Sequence, residues 1–397
     1  MTTLGVREPA VAGAVPLARL FMTAALVSAS ACAGCSSRST SEQVPKADAA
    51  ASFTGGRTFD GQYPIKALCT TGMVADMVRQ VGNRHVEVIE LEETADEVAE
   101  ESSAGGDEVA VAVTVAVDGQ RAAAGESAQE PAPSNEPAAT GEPLVAIDQL
   151  MGAGVDPHLY KPSPGDNSRL SQADVIFYSG LHLEGKMSDL LEGMGRKKPA
   201  LAITSQIDHD RLLSVGPNVY DPHLWTDAAL WSQTAVAVAL LLSEFDPTHA
   251  DEYSRNAARY QAELTRLDSY CREQAARIPD GRDVLVTAHD AFQYLGRAYG
   301  LEVRSIQGIS TESEAGVKEI NDLVEFIADR KIKAVFVETT VSDRNVQALV
   351  EGCRANGHDI VIGGKLYSDA MGDEGTAEGT YVGMTRHNID TIVAALE

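Results

Sequence analysis

The chain has 397 residues, 44% of them hydrophobic, and a formal net charge of -26. That length and apolar content suffice for two globular domains of ordinary size. The acidic balance excludes nucleic acid and an anionic membrane surface as electrostatic partners.

The first residues read as an address. Arg7 and Arg19 flank the approach to an apolar run over 20–27, and small residues then lead to Cys32-Ala33-Gly34-Cys35-Ser36-Ser37. This is the form of a secretory signal covering 1–35. The Ala33-Gly34-Cys35 step is similar to a bacterial lipobox, which would make Cys35 the lipid-bearing first residue of the exported protein; a cleaved signal without lipid is the alternative. Residues 36–62 are expected as a flexible tether. No later stretch reads as the run of about 18 apolar residues that a bilayer span requires. Cys69, Cys271 and Cys353 match no zinc-finger or disulfide spacing and are expected as small buried residues.

Regular structure begins near Tyr63. Ile65-Lys66-Ala67-Leu68-Cys69-Thr70 is expected as a strand, 73–81 as a helix entered through Thr70-Thr71-Gly72, and 85–91 as the next strand, which opens a βαβ series. From 92 to 143 there are thirteen Asp or Glu against Arg121 alone, with no aromatic residue and no His. Such a segment cannot bury enough apolar area to offset its ordering entropy, so a disordered acidic insertion is expected, with the Val/Ala alternation over 109–117 as a strand-like exception. A strand over 173–178, a helix over 187–191 and an apolar helix over 231–245 complete an N-terminal α/β lobe spanning 63–245.

Asp246-Pro247 offers an N-cap and a first-turn proline for a long helix within 246–278. Its apolar positions Tyr253, Ala257, Tyr260, Leu264, Leu267, Cys271 and Ile278 form one continuous face. At 1.5 Å per residue it would run roughly 45 Å, long enough to join two lobes. A C-terminal lobe over 279–397 comes next, with strands at 284–287, 302–306, 334–337 and 360–362 and helices at 292–299, 317–332, 345–353 and 388–396. The expected fold is α/β, two lobes joined by a long rigid helix, with the site in the cleft beyond the strand ends.

One tripeptide occurs twice, as Asp156-Pro157-His158 before Leu159-Tyr160 and as Asp221-Pro222-His223 before Leu224-Trp225. Each sets a His after a rigid Asp-Pro step in a loop, where proline limits the entropy lost on binding. His289, in Thr287-Ala288-His289-Asp290, and Asp369, in Leu366-Tyr367-Ser368-Asp369, each follow a strand. Three imidazoles and a carboxylate make a competent shell for zinc and can also hold manganese. Any one of these histidines alone is more often a hydrogen-bonded structural residue, and spacing does not establish that the four converge.

These residues carry a resemblance to the TroA-type receptors, the zinc and manganese binding proteins of ABC importers. The matching stretches are Gly154-Val155-Asp156-Pro157-His158-Leu159-Tyr160, Gly180-Leu181-His182-Leu183-Glu184-Gly185-Lys186-Met187, Tyr220-Asp221-Pro222-His223-Leu224-Trp225, Thr287-Ala288-His289-Asp290-Ala291-Phe292, Gly308-Ile309-Ser310-Thr311-Glu312 and Ser368-Asp369-Ala370-Met371-Gly372. The resemblance implies a receptor that is not an enzyme, with one divalent ion, zinc or manganese, held between the lobes by His158, His223, His289 and Asp369. It also implies permease subunits in the cytoplasmic membrane as partners and a monomer outside that membrane, in the periplasm or on its outer face. A His rather than a Glu at 289 leans toward zinc, whereas Asp369 and an insertion without His depart from the zinc-specific pattern.

His182 lies in a matching motif, and a structural role is expected for it, as for His85, His209, His249, His358 and His387. Asp156, Asp221 and Glu338 are candidates to orient the imidazoles, against simple turn or packing roles. Two other functions compete. A zinc hydrolase would need an open fourth position, which Asp369 fills, and a surface adhesin would use the acidic insertion.

Overall fold

The computed structural model describes residues 57–83 and 143–397; the signal, Cys35, the strand expected at 85–91, His85 and nearly all of the acidic insertion lie outside the described residues. The first lobe is built on β1 (Ile65–Cys69), α1 (Gly72–Gly82), β2 (Val145–Gln149), α2 (Pro164–Gln172), β3 (Val175–Tyr178), α3 (Ser188–Gly195) and β4 (Ala200–Ala202). Its four strands are parallel in the order β2-β1-β3-β4. A parallel sheet is covered on both faces, so its strands read as nearly continuous apolar runs. The period of two still sorts them: Ile65, Ala67, Cys69, Val175 and Phe177 enter the largest core, while Leu68 and Ile176 face a smaller one with Leu170 of α2 and Leu191 of α3. The hairpin β5 (Ser214–Gly216) and β6 (Val219–Tyr220), then α4 (Ala228–Trp231) and α5 (Thr234–Phe245), complete this lobe.

The connecting helix is α6 (Ala250–Ala275), 26 residues or about 39 Å. Tyr253, Ala257, Tyr260, Leu264, Leu267 and Cys271 are buried along it, the face that the sequence spacing marks out. The second lobe continues the chain with β7 (Val284–Thr287), α7 (Gln293–Tyr299), β8 (Glu302–Ser305), α8 (Val317–Arg330), β9 (Ala334–Glu338), α9 (Arg344–Ala355), β10 (Val361–Leu366) and α10 (Tyr381–Leu396). β7 pairs with β8 and β9 with β10, both parallel, and β7 packs beside β9. Leu285, Ala334 and Phe336 join the same large core as β1 and β3, whereas Val284, Val286 and Val335 face a separate core under α8 and α9. The lobes therefore share one apolar core, to which the buried face of α6 contributes.

The structure departs from the sequence expectations in several places. Asp246 makes no side-chain cap. Its Oδ2 instead accepts from the hydroxyls of Tyr63 and Tyr253, each at 2.8 Å, and lies 2.8 Å from Nδ1 of His249. A 3-10 turn, Pro247–His249, precedes α6, which is correspondingly shorter than expected. Ala228–Phe245 is long and apolar enough by composition to cross a membrane, contrary to expectation, but it is mostly buried core, divided here between α4 and α5. Phe59, placed in the tether by the sequence, packs against Tyr63 and Phe245. Cys69, Cys271 and Cys353 are free and buried, as expected of small apolar residues.

Candidate metal centre

Every side chain singled out for metal ligation sits in a loop beyond a strand. His158 follows β2 through Gly154, whose φ of 71° suits glycine. His223 follows β6 and opens the 3-10 turn Leu224–Thr226. His289 comes just after β7 and Asp369 just after β10. The sheets aim these loops at one another, which is the cleft position that parallel α/β folds use for ligands.

The four converge: one ligand-capable atom from each lies within 4.8 Å of the others, and all four residues are buried. Nε2 of His158 and Nε2 of His223 are 3.3 Å apart. Asp369 places Oδ2 3.2 Å from Nε2 of His289 and 3.8 Å from Nε2 of His158, and Oδ1 3.5 Å from Nε2 of His223. A tetrahedral ion with bonds of about 2.1 Å has ligand atoms about 3.4 Å apart along each edge. The four separations given lie on either side of that edge, so the spacing of the group is of the size an ion of this class requires.

Nε2 of His289 and both carboxylate oxygens of Asp369 are buried with no well-aligned hydrogen bond, facing one another and the His158 and His223 rings as ion-pair partners only. Buried polar atoms without well-aligned hydrogen bonds are destabilising, and a cation among these would satisfy them. Burial alone would pull the His289 imidazole down, but the Asp369 and Glu338 carboxylates outweigh it and hold its pKa well above the ordinary histidine range. Burial would raise Asp369, and the facing His289, His223 and His158 hold it below the usual carboxylate range instead. Burial dominates at His158 and lowers it to about 4.

Two acids hold imidazoles by their far nitrogens. Nδ1 of His223 is 2.6 Å from Oδ1 of Asp221. Nδ1 of His289 makes a short contact with Oε2 of Glu338, whose Oε1 accepts from the His289 backbone N–H at 2.8 Å. A carboxylate there keeps the proton on Nδ1 and leaves Nε2 free to ligate. Asp156 behaves differently: it accepts from the backbone N–H of His158 at 2.8 Å and from the Thr311 hydroxyl at 2.6 Å, not from the His158 ring.

The remaining histidines stand apart from this group. His182 is exposed at a φ of 66° in a turn that Glu184 braces by accepting from Ser179 N and Gly180 N. His249 is in the Asp246 network, His358 and His387 contact the backbone carbonyls of Ile332 and Lys365, and His209 packs against Tyr220 at a tilt. Sequence reasoning gave no separate role to Trp225, Tyr294 and Thr311. The Trp225 indole N–H donates to the Ser368 carbonyl at 2.7 Å, linking the residue two positions after His223 to the one before Asp369. The Tyr294 hydroxyl donates to the Asp221 carbonyl at 2.9 Å. Trp225 and Thr311 lie inside the matching motifs, which was the signal that could have found them; Tyr294 had none.

Fold and site together are those of a two-lobed binding protein, with a buried group of metal-ligand side chains where the lobes meet. The family model described as zinc-uptake complex component A, periplasmic, matches residues 138–395. The chain is 48% identical over 254 residues to the manganese-binding lipoprotein MntA of Bacillus subtilis (strain 168), covering 64% of this chain and 83% of that protein. It is also 48% identical over 252 residues to the zinc-binding protein TroA of Treponema pallidum (strain Nichols), covering 64% and 82% respectively. The solved structure of the periplasmic zinc binding protein TroA from Treponema pallidum superposes with a TM-score of 0.67 at 38% identity, covering 84% of this chain and 99% of that one. The chain belongs to this family of periplasmic metal-uptake components.

Proposed function

We propose that this protein is the extracytoplasmic receptor of an ABC importer, capturing one divalent transition metal ion, zinc or manganese, and delivering it to permease subunits in the cytoplasmic membrane. The observation that carries the reading is the buried group of His158, His223, His289 and Asp369, whose ligand-capable atoms lie within 4.8 Å of one another. Relatives named for manganese and for zinc at equal identity support the ligand class and leave both ions within it. The metal is cargo: four protein ligands fill a tetrahedral shell and leave no open position for an activated water, so no hydrolytic turnover is expected. Lipid attachment at Cys35 is supported by the Ala33-Gly34-Cys35 step and by relatives named as lipoproteins. A monomer, with a tether that ends before Phe59, completes the reading.

Elemental analysis of protein reconstituted with zinc or manganese tests it. One ion per chain and a raised melting temperature are expected, because the ion binds the folded cage and not the unfolded chain. His223→Ala should abolish stoichiometric retention. Neither ion retained by the wild-type protein, with no thermal shift, refutes the reading.

A further inference from the structure

Of the three acids that flank the histidines without being read as ligands, Asp156, Asp221 and Glu338, Asp156 is the one whose carboxylate bonds to the opposite lobe. We propose that the Asp156–Thr311 pair is a clasp tying the ligand His158 to closure of the lobes, which makes both its members positioning residues for metal retention. The proposal rests on the reading of His158 as a ligand.

One carboxylate accepts from the His158 backbone N–H with Oδ1 and from the Thr311 hydroxyl with Oδ2. Pro157 stands between Asp156 and His158, and its fixed φ leaves little slack between the clasped acid and the ligand. His223 and His289 are held by Asp221 and Glu338 within their own lobes, whereas among the described residues no carboxylate takes Nδ1 of His158. The His223 segment is also tied to the second lobe, by Trp225 to the Ser368 carbonyl and by Tyr294 to the Asp221 carbonyl, but the side-chain carboxylate bond that crosses to the second lobe beside His158 is the one from Asp156.

The surroundings indicate which side opens. Around α6 the lobes share an apolar core, and separating them there would expose it to water. Beside the Asp156–Thr311 bond, where the lobes meet, lies a cavity of about 280 Å³ lined by Asp156, Leu159, Thr311, Glu314, Thr340 and Ser342, with Leu159 exposed. Near it the segment 154–186 meets the second lobe through polar pairs, Asp156 with Thr311 and Lys186 with Glu312 at 3.1 Å. Water can replace polar partners, so the mouth opens at lower cost than the core. Lys186 and Glu312 are too exposed to hold it shut. Thr311 is buried, and its charge-assisted bond to Asp156 is the stronger of the two.

A clasp formed in the closed state slows release and leaves capture unchanged. Zinc dissociation from the intact receptor, trapped by excess chelator in a stopped-flow instrument, reads it directly. Thr311→Val keeps the shape and removes the hydroxyl; release should be about tenfold faster, or about 1.4 kcal/mol, with association unchanged. Thr311→Ser restores the hydroxyl and should restore the wild-type rate, while Lys186→Gln should not alter it. Asp156→Asn, which weakens the acceptor, should accelerate release in the same direction and serves if the valine variant folds poorly. Wild-type protein that takes up no zinc would overturn the ligand reading and the clasp with it. Normal wild-type uptake with Thr311→Val releasing at the wild-type rate overturns the clasp alone, as does an acceleration that Thr311→Ser fails to rescue.

Discussion

Glu338→Gln removes one buried charge while keeping the side chain's shape, and the bonds around it dictate the effect on metal binding. The wild-type carboxylate accepts twice, from the His289 backbone N–H at 2.8 Å and, on its other oxygen, from Nδ1. An ionised carboxylate has no proton to donate, so Nδ1 carries the hydrogen and Nε2 presents its lone pair to the ion. Glutamine has a single acceptor oxygen. If that oxygen keeps the backbone N–H, the amide NH2 faces Nδ1 and forces the hydrogen onto Nε2, where a ligand lone pair is needed. If it turns to Nδ1, the NH2 opposes the backbone N–H and a buried donor goes unpaired. Either way metal binding must overcome a misoriented or strained ring, and loss of such an orienting partner costs about 10–100-fold in affinity, or about 1.4–2.7 kcal/mol. Zinc competition against a chelator of known affinity, at fixed pH, measures it, with the metal-free melting curve as a check on folding. A folded variant with zinc affinity within about twofold of wild type would refute the assignment of Glu338 as the residue that sets the His289 tautomer.

The Asp369 and Glu338 carboxylates raise the His289 pKa, so a proton competes with zinc for this imidazole and zinc affinity should rise with pH. Calorimetry in buffers of differing ionisation enthalpy should find about one proton released per ion at pH 7; a count near zero contradicts the charged imidazole. In the metal-free protein the sign reverses: the raised pKa contributes stability that is fully present below the unfolded value of about 6.5 and is lost as pH rises through the folded one. The metal-induced thermal shift should therefore widen with pH, which melting curves with and without zinc will show. His289→Glu should weaken zinc relative to manganese, since imidazole favours zinc along the Irving–Williams order; it also sets a carboxylate against Glu338 and Asp369, so both affinities should fall while their ratio moves. An unchanged ratio in a two-metal competition titration would assign selectivity to lobe geometry instead. Deleting residues 92–143, which contain no His, should leave equilibrium affinity unchanged and slow capture only at low salt; an affinity loss on the order of tenfold, about 1.4 kcal/mol, would show that the insertion reaches the site.

The local patterns were legible where the chain repeats a period. Strand β7 lies at the predicted 284–287, and the three-and-four spacing of Tyr253, Ala257, Tyr260 and Leu264 marks the buried face of α6. Elements without a strong period were missed. β2, Val-Ala-Ile-Asp-Gln, is a strand because β1 offers it a parallel edge from Ile65 to Cys69, a pairing across a long intervening segment. α2 buries only Leu170 among its large apolar residues and is defined by Ser163, whose hydroxyl accepts from Asp166 N, and by Pro164 at its start. α10 begins at Tyr381, earlier than its apolar run predicts, because the Thr380 hydroxyl caps it by accepting from Gly383 N at 3.0 Å.

The same division holds at the site. The types and local settings of His158, His223, His289 and Asp369 are sequence properties, because an Asp-Pro-His step or a post-strand loop is local chemistry. Their convergence is not, since His158 and His223 are 65 residues apart and spacing along a chain does not fix distance across a cleft. Asp221 and Asp156 occupy the same place in identical tripeptides, yet one takes the ring of its histidine and the other takes Thr311. Sequence supplied two equivalent acids; the packing of the second lobe supplied one of them with a different donor. A carboxylate bonds to whichever donor the fold brings within reach, and that distance is set by the tertiary structure alone.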